Sequence, residues 1–155
     1  MNSPSFGFVE QGVRMIVVPL IFRVLGWSRR PLTYADFLWG CDHLGNLVQR
    51  PHMKTPGMYF DCRGRQIISL SSRLWGVELW RVAFHELAHS QLHAPGLRCF
   101  CPRSVSKAEA EADALALSSV IDEPRLYRIN AEGELHDFPQ RMMSARIKVL
   151  EQRQF

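Results

Sequence analysis

Apolar residues return every three or four positions over several stretches of this chain and alternate with polar ones over another, which divides it into helices and one hairpin. Between Thr33 and Leu47, the residues Phe37, Leu38, Cys41 and Leu44 mark one helical face, and Thr33 supplies an oxygen for the first turn. After Pro51 and the Pro56-Gly57 turn, M-Y-F-D-C-R-G-R-Q-I-I-S-L reads as two short strands joined at Arg63-Gly64. A longer helix is predicted from about Leu74 to His93, stopped by Ala94-Pro95-Gly96, since proline breaks the ladder and glycine readily ends it. From about Ser106 the run K-A-E-A-E-A-D-A-L-A-L-S-S-V has the alanine content of another helix, and a last one is expected from Met142 to Gln152. Helices around a short antiparallel hairpin give the fold class α+β.

Residues 1–30 are set apart as an N-terminal extension, with Arg29-Arg30-Pro31 as the junction to one domain over residues 31–155. Inside the extension lies the longest apolar run, Arg14 to Trp27. Pro19 and Arg23 interrupt it, and it falls short of the roughly 20 residues that cross a bilayer, so it predicts a core strand or helix and no transmembrane segment. It also lacks the layout of a secretory signal, and a cytoplasmic protein is expected. With 155 residues, 46% of them hydrophobic and 22% charged, the chain suffices for one globular core and is neither disordered nor repetitive in composition. The net charge of +4 gives only weak support to nucleic-acid binding, because no aromatic residues interleave with the basic ones. Cys41, Cys62, Cys99 and Cys101 lack metal-knuckle spacing and read as reduced thiols.

The chemistry concentrates in V-A-F-H-E-L-A-H-S-Q-L-H, which holds three of the six histidines. On a helix His85, His89 and His93 follow one another at one-turn intervals along a single face. Glu86 completes an H-E-x-x-H arrangement, in which two imidazoles bind a metal and the carboxylate serves as general base on a water. Trp80, Val82, Ala83, Phe84, Leu87, Ala88 and Leu92 surround these polar groups with apolar ones, and buried imidazoles and carboxylates require partners.

A catalytic zinc held by two histidines takes one further protein ligand and keeps a fourth position open. His93, Glu109, Glu111 and Asp113 are the candidates. Three ligands on successive turns of a straight helix diverge, so His93 is disfavoured and a second element is needed. Glu109 is the preferred ligand, with Asp113 one turn on accepting a hydrogen bond from a histidine's outer nitrogen. Glu111, on another side of that helix, is the alternative ligand; in that scheme Glu109 closes a capping box with Ser106.

The string H-E-L-A-H-S-Q-L-H, followed after a loop by E-A-E-A-D-A-L-A, resembles the ImmA/IrrE family of small gluzincin-type zinc metallopeptidases. That family carries H-E-x-G-H, a further histidine and then E-x-E-A-N-x-F-A. The hairpin from Gly57 to Leu70 and the closing S-A-R-I-K-V-L are similar to the family's strands and last helix, so the likeness spans roughly residues 33–155. Ala88 stands where the family has glycine, and Asp113 where asparagine is common, as in the E-x-x-x-D of other gluzincins. The resemblance implies a zincin-like domain, with a hairpin or small sheet packed on the H-E-x-x-H helix and a second, glutamate-bearing helix. It also implies proteolysis of a regulatory protein, often a DNA-bound repressor.

The resulting expectation is a hydrolase in which His85, His89 and Glu109 hold Zn2+, Glu86 moves the proton, and Tyr59, Tyr127 or His136 supplies an oxyanion donor. Two other readings stand beside it. One is a non-catalytic metal-containing module that binds a transcription factor or DNA; the other is a zinc-dependent protein of a mobile element that counters host defence.

Overall fold

The computed structural model describes residues 7–11, 14–93, 98–99 and 107–152, with side chains described for 18–93 and 107–152. These residues form two compact units, one from Thr33 to Ala116 and one from the segments up to Leu32 and from Leu117 onward. Among the described residues there are six helices and two sheets, an α+β arrangement.

The unit from Thr33 to Ala116 begins with helix α2, Tyr34–Leu44. Thr33 Oγ1 accepts from the Asp36 amide at 3.4 Å, and Asp36 Oδ2 accepts from the Thr33 amide at 2.8 Å, closing a reciprocal cap. The helix is shorter than its apolar pattern suggests. Gly45 takes a left-handed conformation (φ 76°) that ends it at Leu44, and Leu47 enters strand β3, Leu47–Gln49.

Strands β4, Gly57–Cys62, and β5, Arg65–Leu70, form the expected hairpin, pairing from Gly57 opposite Leu70 to Cys62 opposite Arg65. Arg63 (φ 54°) and Gly64 (φ 79°) are both left-handed, as a two-residue turn matched to strand twist requires. Asp61 Oδ1 accepts from the Gly64 amide at 2.8 Å. β3 adds to β5 in parallel, and β6, Arg98–Cys99, adds to β4, giving a mixed sheet in the order β3-β5-β4-β6.

Helix α3, Gly76–Leu92, lies against α2 and against strands β4 and β5. Its buried residues Leu79, Val82, Ala83, Phe84, Leu87 and Ala88 supply much of the core, and Phe37 of α2 meets Phe84 edge to face at 5.9 Å. The approach to α3 is fixed by Arg50, whose guanidinium donates to the carbonyls of Leu70, Ser71 and Leu74 at 3.2, 3.0 and 2.7 Å. The Ala94-Pro95-Gly96 stop and Ser106 of the anticipated capping box lie outside the described residues. Helix α4 runs Lys107–Val120.

The other unit shows how Pro19 divides the apolar run. Strand β2, Arg14–Val18, pairs antiparallel with β1, Gly7–Gln11, and Pro19 then precedes helix α1, Leu20–Leu25. Both a strand and a helix therefore arise from a stretch expected to be one or the other. Helix α5, Glu123–Glu132, was not anticipated, although Asp122 at its N-cap and Pro124 in its first turn are start signals. Helix α6, Gln140–Glu151, begins two residues before the expected Met142 and places the buried Arg146 where its Nε donates to the Ile121 carbonyl at 2.8 Å.

A candidate metal centre

α3 is buried along most of its length, so its polar residues have little access to water. His85, Glu86 and His89 are at most 2% exposed. The two histidines, one turn apart, bring their Nε2 atoms to 3.1 Å. Glu109, in the first turn of α4, closes the group: Oε2 lies 2.9 Å from His85 Nε2 and Oε1 lies 2.9 Å from His89 Nε2. The three side chains offer two imidazole nitrogens and a carboxylate oxygen within 4.8 Å of one another.

Charge reinforces that convergence. Burial opposes an imidazolium at His85, but the carboxylates of Asp113 and Glu109 outweigh it and push its pKa up to about 9. Burial also opposes ionisation of Glu109, and the two histidines reverse the balance and hold its pKa below the usual carboxylate value. The donor set of two nitrogens and one oxygen could hold a metal ion.

Glu86 differs from its neighbours. It is fully buried, and neither carboxylate oxygen has a hydrogen-bond partner in the structure. Burial first, then the negative charge of Glu109, push its pKa up to about 8 against the opposing pull of His85. Space for it is made by Gly57 at the start of β4. A Cβ there would stand 2.6 Å from Val82 Cγ1, 3.1 Å from Glu86 Cγ and 3.2 Å from Glu86 Oε1.

Asp113 lies beside the histidine pair but not quite as expected. Its Oδ1 is 3.7 Å from His85 Nδ1, a charge contact rather than a hydrogen bond. Its hydrogen bonds are with Arg81, from Nε at 3.1 Å and Nη2 at 2.9 Å. Arg81 escaped the sequence reading; its signal was its position one turn before His85 on the same helix face.

His93 and Glu111 stand away from the Nε2 atoms. His93 Nδ1 is 2.7 Å from His89 Nδ1, and Glu111 Oε2 is 3.5 Å from His93 Nε2. Of the suggested oxyanion donors, Tyr59 is buried in β4, its hydroxyl pKa raised by burial and by Asp61. Tyr127 is exposed and His136 accepts from the Phe138 amide at 3.2 Å, both in the unit that does not contain the histidine pair. Cys41 and Cys62 are free thiols, and the side chains of Cys99 and Cys101 lie outside the described residues.

No protein-family model matches the chain, and no match is found among curated proteins or solved structures. The likeness to ImmA/IrrE peptidases therefore rests on the quoted motifs alone.

Proposed function

We propose that this chain is a zinc-dependent endopeptidase of zincin-like fold, with His85, His89 and Glu109 as metal ligands and Glu86 as general base. The observation that carries this reading is Glu86 itself, a fully buried carboxylate with no hydrogen-bond partner beside a converging donor set. Burying such a group costs several kcal/mol unless something satisfies it, which is the signature of a residue kept for chemistry. A structural metal site has no use for it and prefers four protein ligands.

A bound zinc ion supplies Lewis acidity, lowering the pKa of a water towards about 7 and polarising a carbonyl. Glu86, fully buried and without a hydrogen-bond partner, would accept a proton at its carboxylate oxygens and pass it on to a departing amine. Glu109 holds negative charge at the Nε2 atoms, and Arg81 fixes Asp113 beside the outer nitrogen of His85. The substrate class we propose is a regulatory protein, such as a DNA-bound repressor, met in the cytoplasm. No described helix is long and apolar enough to cross a membrane.

New protein N-termini should be compared in cells carrying wild type or Glu86→Gln. Fragments that arise only with wild type support proteolysis. Identical termini in both, together with retained binding of a transcription factor or DNA, would favour the non-catalytic module.

A further inference from the structure

We infer that His93 and Glu111 are positioning residues that orient His89 through its outer nitrogen. The inference rests on the metal centre proposed above but not on its catalytic role. Two imidazole nitrogens at the 2.7 Å separating His89 Nδ1 from His93 Nδ1 need one proton between them, because one must donate and the other accept. His89 turns its Nε2 toward Glu109 and His85. If that nitrogen gives its lone pair to a metal, the ring's proton resides on Nδ1 and is donated to His93. His93 then carries its own proton on Nε2, which lies 3.5 Å from Glu111 Oε2, a charge contact rather than a hydrogen bond. The result is a directed series from Glu111 through His93 to His89.

The other histidine has a shorter version of the same support. Asp113 lies directly outside His85, at 3.7 Å from Nδ1, and Arg81 holds that carboxylate by two hydrogen bonds. Each candidate ligand imidazole thus faces a carboxylate from α4 on its outer side, directly for His85 and through a third imidazole for His89. Such outer partners fix the tautomer and increase the basicity of a ligating histidine. The two carboxylate alternatives weighed from sequence acquire separate tasks: Glu109 faces the Nε2 atoms of His85 and His89, and Glu111 faces His93. An alternative account has His93 merely packing on the last turn of α3, its ring 4.8 Å from that of His89.

Zinc affinity measured by competition with a chromogenic chelator separates these accounts when wild type is compared with His93→Leu, His93→Asn, Glu111→Gln and His89→Ala. His93→Leu should weaken zinc binding by about 10- to 100-fold, with a smaller loss in Glu111→Gln, and His93→Asn should recover most of the loss because its amide oxygen can accept from His89 Nδ1. Nitrogen-15 NMR of zinc-loaded wild type should find the proton of His89 on Nδ1 and that of His93 on Nε2, a readout that needs no variant to fold. A His93→Leu affinity within about twofold of wild type, equal losses in the Leu and Asn variants, or a His93 proton on Nδ1 would overturn the inference. If His89→Ala binds zinc as wild type does, the metal centre falls as well. If zinc binds as described but no protein is cleaved, only the peptidase reading falls.

Discussion

The turn of α3 around Glu86 and the turn of α4 from Glu109 to Asp113 both place carboxylates against the histidine pair, with opposite outcomes. Glu109 and Asp113 meet imidazole or guanidinium groups and are held below the ordinary carboxylate pKa, whereas burial raises Glu86. What separates them is the partners each turn supplies. α4 faces His85, His89 and Arg81; Glu86 sits at 0% exposure above Gly57 without a hydrogen bond. A carboxylate already satisfied by cations can hold or orient a metal ligand, and one left unsatisfied can take up a proton.

The strongest way to break this division is to remove α4's contribution. Glu109→Ala should abolish stoichiometric zinc binding, as His89→Ala should, because two remaining donors do not hold a catalytic zinc. Elemental analysis of the purified variants checks it, and full occupancy in Glu109→Ala together with an empty site in Glu111→Ala would transfer the ligand role to Glu111. Asp113→Ala leaves every proposed ligand in place and should weaken zinc affinity by about 10- to 100-fold. A loss as complete as that of Glu109→Ala would make Asp113 a ligand instead.

The space reserved for Glu86 can be tested from the strand side. Gly57→Ala should cost about 1–3 kcal/mol in chemical denaturation, since its Cβ would enter the space of Val82 and Glu86. Adding Val82→Ala should recover part of that loss. A Gly57→Ala protein as stable as wild type would mean that β4 yields easily and does not confine Glu86.

Acid and base sharpen the comparison further. Glu86 and His85 both bind protons more tightly in the fold than in an unfolded chain, with folded values of about 8 and about 9. Their contribution is complete below the unfolded values of 4.5 for Glu86 and 6.5 for His85, and it is lost as pH rises through the folded ones. Glu109 and Asp113 have the opposite sign, contributing above their unfolded values and losing that contribution as pH falls through the lowered ones. Thermal denaturation of chelator-treated protein should therefore show stability falling from about pH 5 to about pH 9, less steeply in Glu86→Gln. Stability that rises over that window would contradict the assigned directions.

Local chemistry made much of this legible beforehand. The Thr33 cap needs only residues three apart, the Arg63-Gly64 turn follows from adjacent residues, and the one-turn spacing of His85 and His89 follows from helix geometry. Early helix termination at Gly45 was also written in the residues but was overridden by the apolar pattern, and Asp122 and Pro124, the start signals of α5, went unused. Contacts between elements were the harder part. Arg81 meets Asp113 across 32 positions, and the closeness of Gly57 to Glu86 depends on how β4 crosses α3, which no periodicity encodes. Helix geometry disfavours His93 as a ligand, and only the packed structure shows its Nδ1 turned to the outer nitrogen of His89.

The central claim is that Glu86 does chemistry at a metal it does not bind. The most direct test is a paired measurement on purified wild type and Glu86→Gln: zinc content per chain, and cleavage of a peptide library prepared from cellular protein. Both proteins should carry about one zinc, and Glu86→Gln should lose about 100- to 10,000-fold in cleavage rate, because the amide keeps the shape but cannot accept a proton. Equal cleavage by the two proteins, no cleavage by zinc-loaded wild type, or loss of zinc in Glu86→Gln would contradict it.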